Sequence, residues 1–315
     1  MNTARPGSGR IETALGELSR LIAQFSGGDG IYSTVIPALS LIRSSEPSVP
    51  LHTVYEPSIC LVAQGRKWVL LGDESYHYGP SEYFAVSVGL PICGQVIEAS
   101  PQRPYLAVQL HVDPQQTADL LPLDVPSGRT SAAAGRGLCV SPAGADMLEA
   151  FVRLLRLLET PRDVPALATM AAREILYRAL RDEQNFALRQ MLPGAGHAAA
   201  IAGVIRRIRQ TYDEPLRIEE LAGEAKMSTS SLHRYFRAVT AMSPLQFQKR
   251  IRLQEARKML LSEPVQAAEA AFRVGYESPS QFNREYARLF GLPPLSDVRR
   301  LRRMPAGDPQ TFGKM

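Results

Sequence analysis

Cysteine is scarce in this chain: Cys60, Cys93 and Cys139 are the three it has. Their spacing matches no metal site, and an odd number leaves at least one thiol unpaired. A disulfide framework is therefore not expected, and reduced thiols in a cytoplasm are. Long apolar runs are missing too. The longest are far too short to span a bilayer, and the N-terminus has no apolar h-region of a secretory signal. No membrane partner is expected. No set of histidine, cysteine and carboxylate residues has recognisable ligand spacing, so no metal and no cofactor are expected. No Ser or Cys lies in a recognised nucleophile motif, so no catalytic residue is assigned.

What is present suits a soluble globular protein of two domains, with 45% hydrophobic and 21% charged residues in 315. The charge is unevenly placed. From His197 to Arg303 there are 19 Lys and Arg against 11 Asp and Glu, a balance of +8, whereas the remainder has 17 against 20. All the excess positive charge therefore sits in the last third, as expected of a nucleic-acid binder, although a solvated basic face would look the same.

Along the chain, Ile11, Leu15, Leu18, Ile22 and Phe25 recur at helical spacing, closed by Ser26-Gly27-Gly28, which predicts a helix in residues 1–30. Residues 31–140 then change texture. "SICLVAQG", "KWVLLG", "EYFAVSVG" and "YLAVQLHV" are short β-like runs between Gly and Pro, the pattern of a sandwich or small barrel. Ser141-Pro142 is read as the start of a helix through Leu158, and a second helix is expected from about Pro165 to Met191. These form a helical connector over 141–191. Its stripe of Leu148, Phe151, Leu155 and Leu158 either packs on the β domain or forms a dimerisation face. "LPGAG" (Leu192 to Gly196) reads as a linker, 197–303 as an all-helical domain, and 304–315 as a polar tail.

The helical domain contains a repeat. "VGYESPSQFNREYARLFGLPP" places Gly275 where a helix ends, Ser278 as an N-cap and Pro279 at the first helical position. Upstream, "LAGEAKMSTSSLHRYFRAVTAMSP" has the same layout. Ser228, Ser230, Leu232, Arg234 and Phe236 match Ser278, Ser280, Phe282, Arg284 and Tyr286 at an offset of 50, and Pro244 matches Pro294. Ala222 matches Ala271 at 49, so the second copy has one extra residue in its turn. Each copy is helix, tight turn, helix, and a basic helix from Pro244 to Leu261 joins them. A lone helical hairpin is weak evidence; two copies are much stronger.

With "ARKML" on the joining helix and "VGYESPSQFNREYARLFGLPP" after it, the region from Ala200 to Arg303 resembles the DNA-binding domain of the AraC/XylS family of bacterial transcription regulators. "YEPSICLVAQGRK", "VSVGLPICGQVIEASPQRPYLAVQL" and "REILYRAL" resemble, less specifically, the N-terminal sensor domain of one AraC-type subgroup, from Ile31 to about Met191. Cys93 departs from the small hydroxyl residue that is common there. The resemblance implies an α+β chain of two domains: an N-terminal cupin-like β-barrel with a helical connector, and a C-terminal all-α double helix-turn-helix domain. It also implies double-stranded operator or promoter DNA and a small-molecule effector as partners. RNA polymerase and a second copy of the chain are further candidates.

By position within the family motif, the base-reading candidates are Ser230, His233 and Arg234 in the first unit and Ser280, Asn283 and Arg284 in the second. Their chemistry agrees, since Arg bonds guanine bidentately, Asn does so with adenine, and Ser and His suit single contacts. Arg237, Lys249, Arg250, Lys258 and Arg288 are assigned to phosphates, where they give affinity and register. A catalytic cupin needs a His-x-His pair with a following Glu and a later His, whereas His52, His77 and His111 are isolated. An effector pocket fits the β domain better, with Tyr55, Cys60, Tyr76, His77, Tyr78, Cys93 and His111 as candidate lining. Two readings stand at this point: a sequence-specific transcription regulator, or a β-barrel enzyme with a helical accessory domain. The repeat and the +8 region favour the first.

Overall fold

The computed structural model describes residues 8–113, 135–182, 186–189 and 196–302. The linker and polar tail inferred from the sequence lie largely or wholly outside these residues. The first helix, α1, runs Ser8–Phe25 and buries Leu18, Leu21 and Ile22 completely. Ten strands follow among the described residues: β1 (Gly30–Ser33), β2 (Leu39–Ser44), β3 (Leu51–Tyr55), β4 (Ser58–Gln64), β5 (Arg66–Leu71), β6 (Glu74–Tyr78), β7 (Glu82–Val86), β8 (Leu90–Glu98), β9 (Tyr105–His111) and β10 (Leu138–Pro142).

They form two sheets, ordered β1-β2-β9-β4-β7-β10 and β3-β8-β5-β6, with antiparallel ladders throughout. Among the described residues no ladder joins one sheet to the other. The architecture is an open, two-sheet sandwich, which refines the expectation of a barrel: β1 and β10 end one sheet, β3 and β6 the other.

The larger sheet is covered on both faces. Ile59, Leu61 and Ala63 of β4 point into a cluster with α1 and the later helices, while Cys60 and Val62 point between the sheets. Leu106, Val108 and Leu110 of β9 divide from Tyr105 and Ala107 in the same way. Burial on both faces is why "SICLVA" is an unbroken apolar run with no polar alternation.

Ser141 and Pro142 do not open a helix. They pair with Tyr83 and Glu82 at the end of β10, an edge strand where a proline is tolerated. The helix α2 (Ala145–Arg156) starts just after them. Its apolar stripe, including Leu148, Phe151 and Leu155, is buried with α1 and the larger sheet, so packing takes the face that dimerisation would have needed. A short 3-10 turn leads to α3 (Val164–Arg181) and then α4 (Phe186–Arg189). The second connector helix thus stops well short of the expected end.

Among the described residues seven helices follow: α5 (His197–Gln210), α6 (Ile218–Glu224), α7 (Thr229–Thr240), α8 (Pro244–Ser262), α9 (Ala267–Arg273), α10 (Pro279–Phe290) and α11 (Pro294–Arg302). Buried residues of α5 to α8 share one cluster with the space between the sheets, whereas α8 to α11 enclose a cluster of their own. The first helix-turn-helix unit therefore shares its core with the sandwich. Gly137 N–H donates to the Val239 carbonyl at 2.9 Å. Arg136 grips Glu74 and donates to the Arg237 carbonyl at 2.8 Å. Arg209 reaches Glu56 at 2.9 Å.

Candidate nucleic-acid interface

The two units repeat in hydrogen bonds as well as in sequence. In the first turn Lys226 N–H donates to Gly223 at 3.0 Å and Met227 N–H to Ala222 at 2.9 Å. In the second, Gly275 N–H donates to Phe272 at 3.0 Å and Tyr276 N–H to Ala271 at 2.9 Å. Lys226 and Gly275 occupy the same left-handed position, with φ of 52° and 85°. The extra residue, Glu277, falls between this turn and the next N-cap.

Each second helix then starts on a capping serine. Ser228 accepts from the Ser231 N–H at 3.2 Å and Ser278 from the Gln281 N–H at 3.4 Å. Ala241 and Gly291 end the helices in the left-handed conformation, at φ of 60° and 78°. Leu232 and Phe236, like Phe282 and Tyr286, fix the back of each helix in its core. The front is therefore determined: Ser230, His233 and Arg234 are exposed on α7, and Ser280, Asn283 and Arg284 are exposed on α10. All six base-reading candidates lie on the solvent faces of two equivalent helices.

Arg234 has a support that spacing did not reveal. Its guanidinium lies 4.7 Å from the Tyr235 ring centroid and donates to the Tyr235 hydroxyl at 3.0 Å. Tyr235 in turn stacks on His197 at 4.2 Å. The aromatic stack holds the side chain at the helix surface.

The phosphate candidates divide. Arg237, Lys258 and Arg288 are exposed. Lys249 is held by Glu285 at 2.6 Å, and Glu285 also accepts from Tyr276 at 2.8 Å and Gln281 at 3.1 Å. Lys249 thereby ties α8 to α10. Arg250 is turned towards the smaller sheet, near Asp73 and Cys93, and burial lowers its pKa. In this arrangement it is a domain contact, which corrects its assignment to phosphate. Arg257, another cation of α8, is buried against Asp297.

The effector-pocket candidates divide as well. Tyr55 and Cys60 reach the space between the sheets, where Tyr78 and the half-buried Tyr76 also belong. His77 and His111 are exposed. His77 alternates with Tyr76 and Tyr78, so its side chain must leave the opposite face. Cys93 alternates with Ile92 and Gly94 and faces Arg250 and Arg257 of α8. None of the three lines the interior. Burial pushes Cys93 and Cys139 up to about 11 and raises Cys60 also. All three are thus neutral thiols near neutral pH, which weighs against a reactive-thiolate sensor. Lys67 and Tyr105, missed from the sequence, do face the interior. Period-two alternation with Val69 and Leu71 is the signal that could have found Lys67.

Two family models match the chain: the AraC-type transcriptional regulator N-terminus over residues 35–187 and a helix-turn-helix domain over residues 221–300. The chain belongs to the AraC/XylS family of transcriptional regulators. Among curated proteins, this AraC/XylS-family chain is 33% identical over 107 residues to the HTH-type transcriptional regulator GlxA of Rhizobium meliloti, covering 34% of this chain and 33% of that one. It is 30% identical over 136 residues to the RCS-specific HTH-type transcriptional activator RclR of Escherichia coli, covering 43% and 45%. The chain thus matches between a third and a half of the length of these relatives. Its fold is that of ToxT from Vibrio cholerae, solved with an unsaturated fatty acid, with a TM-score of 0.54, 9% identity, and coverage of 83% of this chain and 93% of that one. Among the described residues no helix is long and apolar enough to cross a membrane.

Proposed function

We propose that this protein is a sequence-specific DNA-binding transcription regulator whose N-terminal β domain binds a small-molecule effector. One observation carries the reading: two helix-turn-helix turns with matching hydrogen bonds each present the same three positions to solvent. These are Ser230, His233 and Arg234 on α7, and Ser280, Asn283 and Arg284 on α10. Arg and Asn at a helix surface suit guanine and adenine edges in a major groove, and the exposed Arg237, Lys258 and Arg288 suit phosphates.

The joining helix α8 has 19 residues, about 28 Å at ~1.5 Å per residue. That length suits two helices entering successive major grooves about 34 Å apart on one face of the duplex. One monomer then contacts two short base clusters. In this reading residues 31–140 sense the effector, 141–191 brace the larger sheet, and 197–303 bind DNA. A homodimer through a surface other than the buried α2 stripe, and contact with RNA polymerase, belong to the same proposal, with the compartment being the cytoplasm. The enzyme reading has no support from the curated relatives, whose names are those of transcriptional regulators.

A gel-shift with DNA upstream of its own gene tests this. Retarded DNA that competitor of unrelated sequence does not release is the expected result. Equal affinity for every duplex, or none at low salt, would overturn it.

A further inference from the structure

The two reading arginines match at the repeat offset of 50 but sit in different surroundings. Arg284 is followed by Glu285, and that carboxylate is already taken by Lys249, Tyr276 and Gln281. Among the described residues Arg284 itself has no ring contact and no hydrogen bond, and it is exposed. Arg234 is followed instead by Tyr235, which is buried in the core of the first unit. The Arg234 guanidinium lies 4.7 Å from the centroid of that ring, and its Nη2 donates to the Tyr235 hydroxyl at 3.0 Å. His197 stacks on the same ring, with centroids 4.2 Å apart and planes 22° from parallel. It is exposed, it opens α5, and it lies upstream of the repeated helix-turn-helix layout.

A long side chain on an open helix face samples many rotamers, and fixing it on a base costs that freedom. A guanidinium already laid on a ring and tied to its hydroxyl has less to lose, so a right base is rewarded more fully. The tie uses one Nη2 contact and leaves the rest of the fork for the two acceptors of a guanine edge. Burial fixes the Tyr235 ring from within, and His197 braces it from the surface. We propose that Tyr235 and His197 are positioning residues of the first reading face, holding the Arg234 guanidinium in the orientation it uses on a base. The proposal rests on the reading of Arg234 as a base contact. It makes His197, outside the repeat, a determinant of sequence specificity. The two units then read by different means: Arg234 is ordered beforehand, whereas Arg284 orders on contact.

The test is competition binding of the full chain to its selected DNA site, to single-base changes in each base cluster, and to a duplex of random sequence. Tyr235→Leu removes ring and hydroxyl, and should lower discrimination in the cluster read by Arg234 by ~3–10-fold. The other cluster and the random duplex should be unaffected, since neither depends on this guanidinium. Tyr235→Phe, which keeps the ring, should lose less. His197→Ala should lose part of the same discrimination, and His197→Phe, which can still stack, should restore it. With Arg234→Ala in place, neither Tyr235→Leu nor His197→Ala should change discrimination further, a coupling that a merely structural role would not give. Undiminished discrimination in Tyr235→Leu, or an equal loss in both clusters and on the random duplex, would overturn the proposal. Should Tyr235→Leu fail to fold, the exposed His197 decides, and unchanged discrimination in His197→Ala overturns it. Arg234→Ala keeps two failures apart. If it leaves both clusters intact, the reading of α7 as a base-contacting face falls and the positioning role with it. If it relaxes a cluster that the Tyr235 and His197 variants leave sharp, only the positioning role falls.

Discussion

The Arg257 guanidinium closes on the Asp297 carboxylate with bonds of 2.7 and 3.1 Å, inside the second helix-turn-helix unit. Asp297 also accepts from the Tyr286 hydroxyl at 3.0 Å and from Arg300 at 3.0 Å, and the Arg257 guanidinium lies 4.5 Å from the Phe290 ring centroid. At the repeat offset of 50, Tyr286 and Asp297 correspond to Phe236 and Phe247, which meet edge-on at 5.4 Å in the first unit. The same position in the fold is apolar in one unit and ionic in the other.

Breaking this pair from one side strands a buried charge. Asp297→Ala or Arg257→Ala should destabilise the second unit by ~3–5 kcal/mol, whereas replacing both with apolar residues of similar size should be far milder. Urea denaturation of the single and double variants checks this. Equal losses from single and double changes would mean that packing, not charge, governs the site.

Gly275 and Lys226 share a turn position but not its surroundings. A Cβ on Gly275 would lie 2.1 Å from the Asp213 carbonyl oxygen, in a residue whose φ is 85°. Gly275→Ala should therefore cost more than about 2 kcal/mol. Lys226 already tolerates the conformation, so Lys226→Gly should stay within about 1 kcal/mol of the parent. Thermal melts of the two variants decide.

Acid should loosen the contact between the domains. His52 meets Phe290 edge-on at 5.3 Å, and burial, helped by Arg257 and Arg250 against the opposing Asp297, pushes its pKa down from 6.5 to about 4. Between those values the separated histidine binds a proton that the docked one refuses. The contribution to docking is therefore complete above about 6.5 and declines as the pH falls towards about 4. A fluorescence pair across the two domains should report this decline in the parent. His52→Phe, which keeps an aromatic edge without a titrating group, should flatten it.

Much of this was legible because the repeat is written twice. The offsets of 50 and 49, Ser228 with Ser278, and Ala222 with Ala271 mark both turns and both exposed faces. Legibility failed where one residue's surroundings depend on a distant partner. Nothing near Ser141-Pro142 shows that β7 claims them as a strand. Arg250 and Arg257 look like their exposed neighbour Lys258 until Cys93 and Asp297 are seen beside them. His77 and His111 looked like pocket residues because composition names a residue type and not the face it leaves. Lys67 was overlooked because a lysine beside Trp68 reads as solvated.

Salt should act steeply on DNA affinity, since Arg237 and Arg288 are exposed on the two recognition helices and Lys258 on the helix that joins them. Lys258→Ala should weaken all duplexes alike and reduce the slope of log affinity against log salt by about one. A change in sequence preference would instead mean that it touches a base.

Binding-site selection with the full chain and its Arg234→Ala and Arg284→Ala variants tests the central claim most directly. The parent should select two short base clusters about one helical turn apart. Arg234→Ala should relax one cluster and Arg284→Ala the other, each at ~1–3 kcal/mol for its best site. If both variants select the parent motif unchanged, neither arginine reads sequence and the assignment of these two faces to base recognition is wrong.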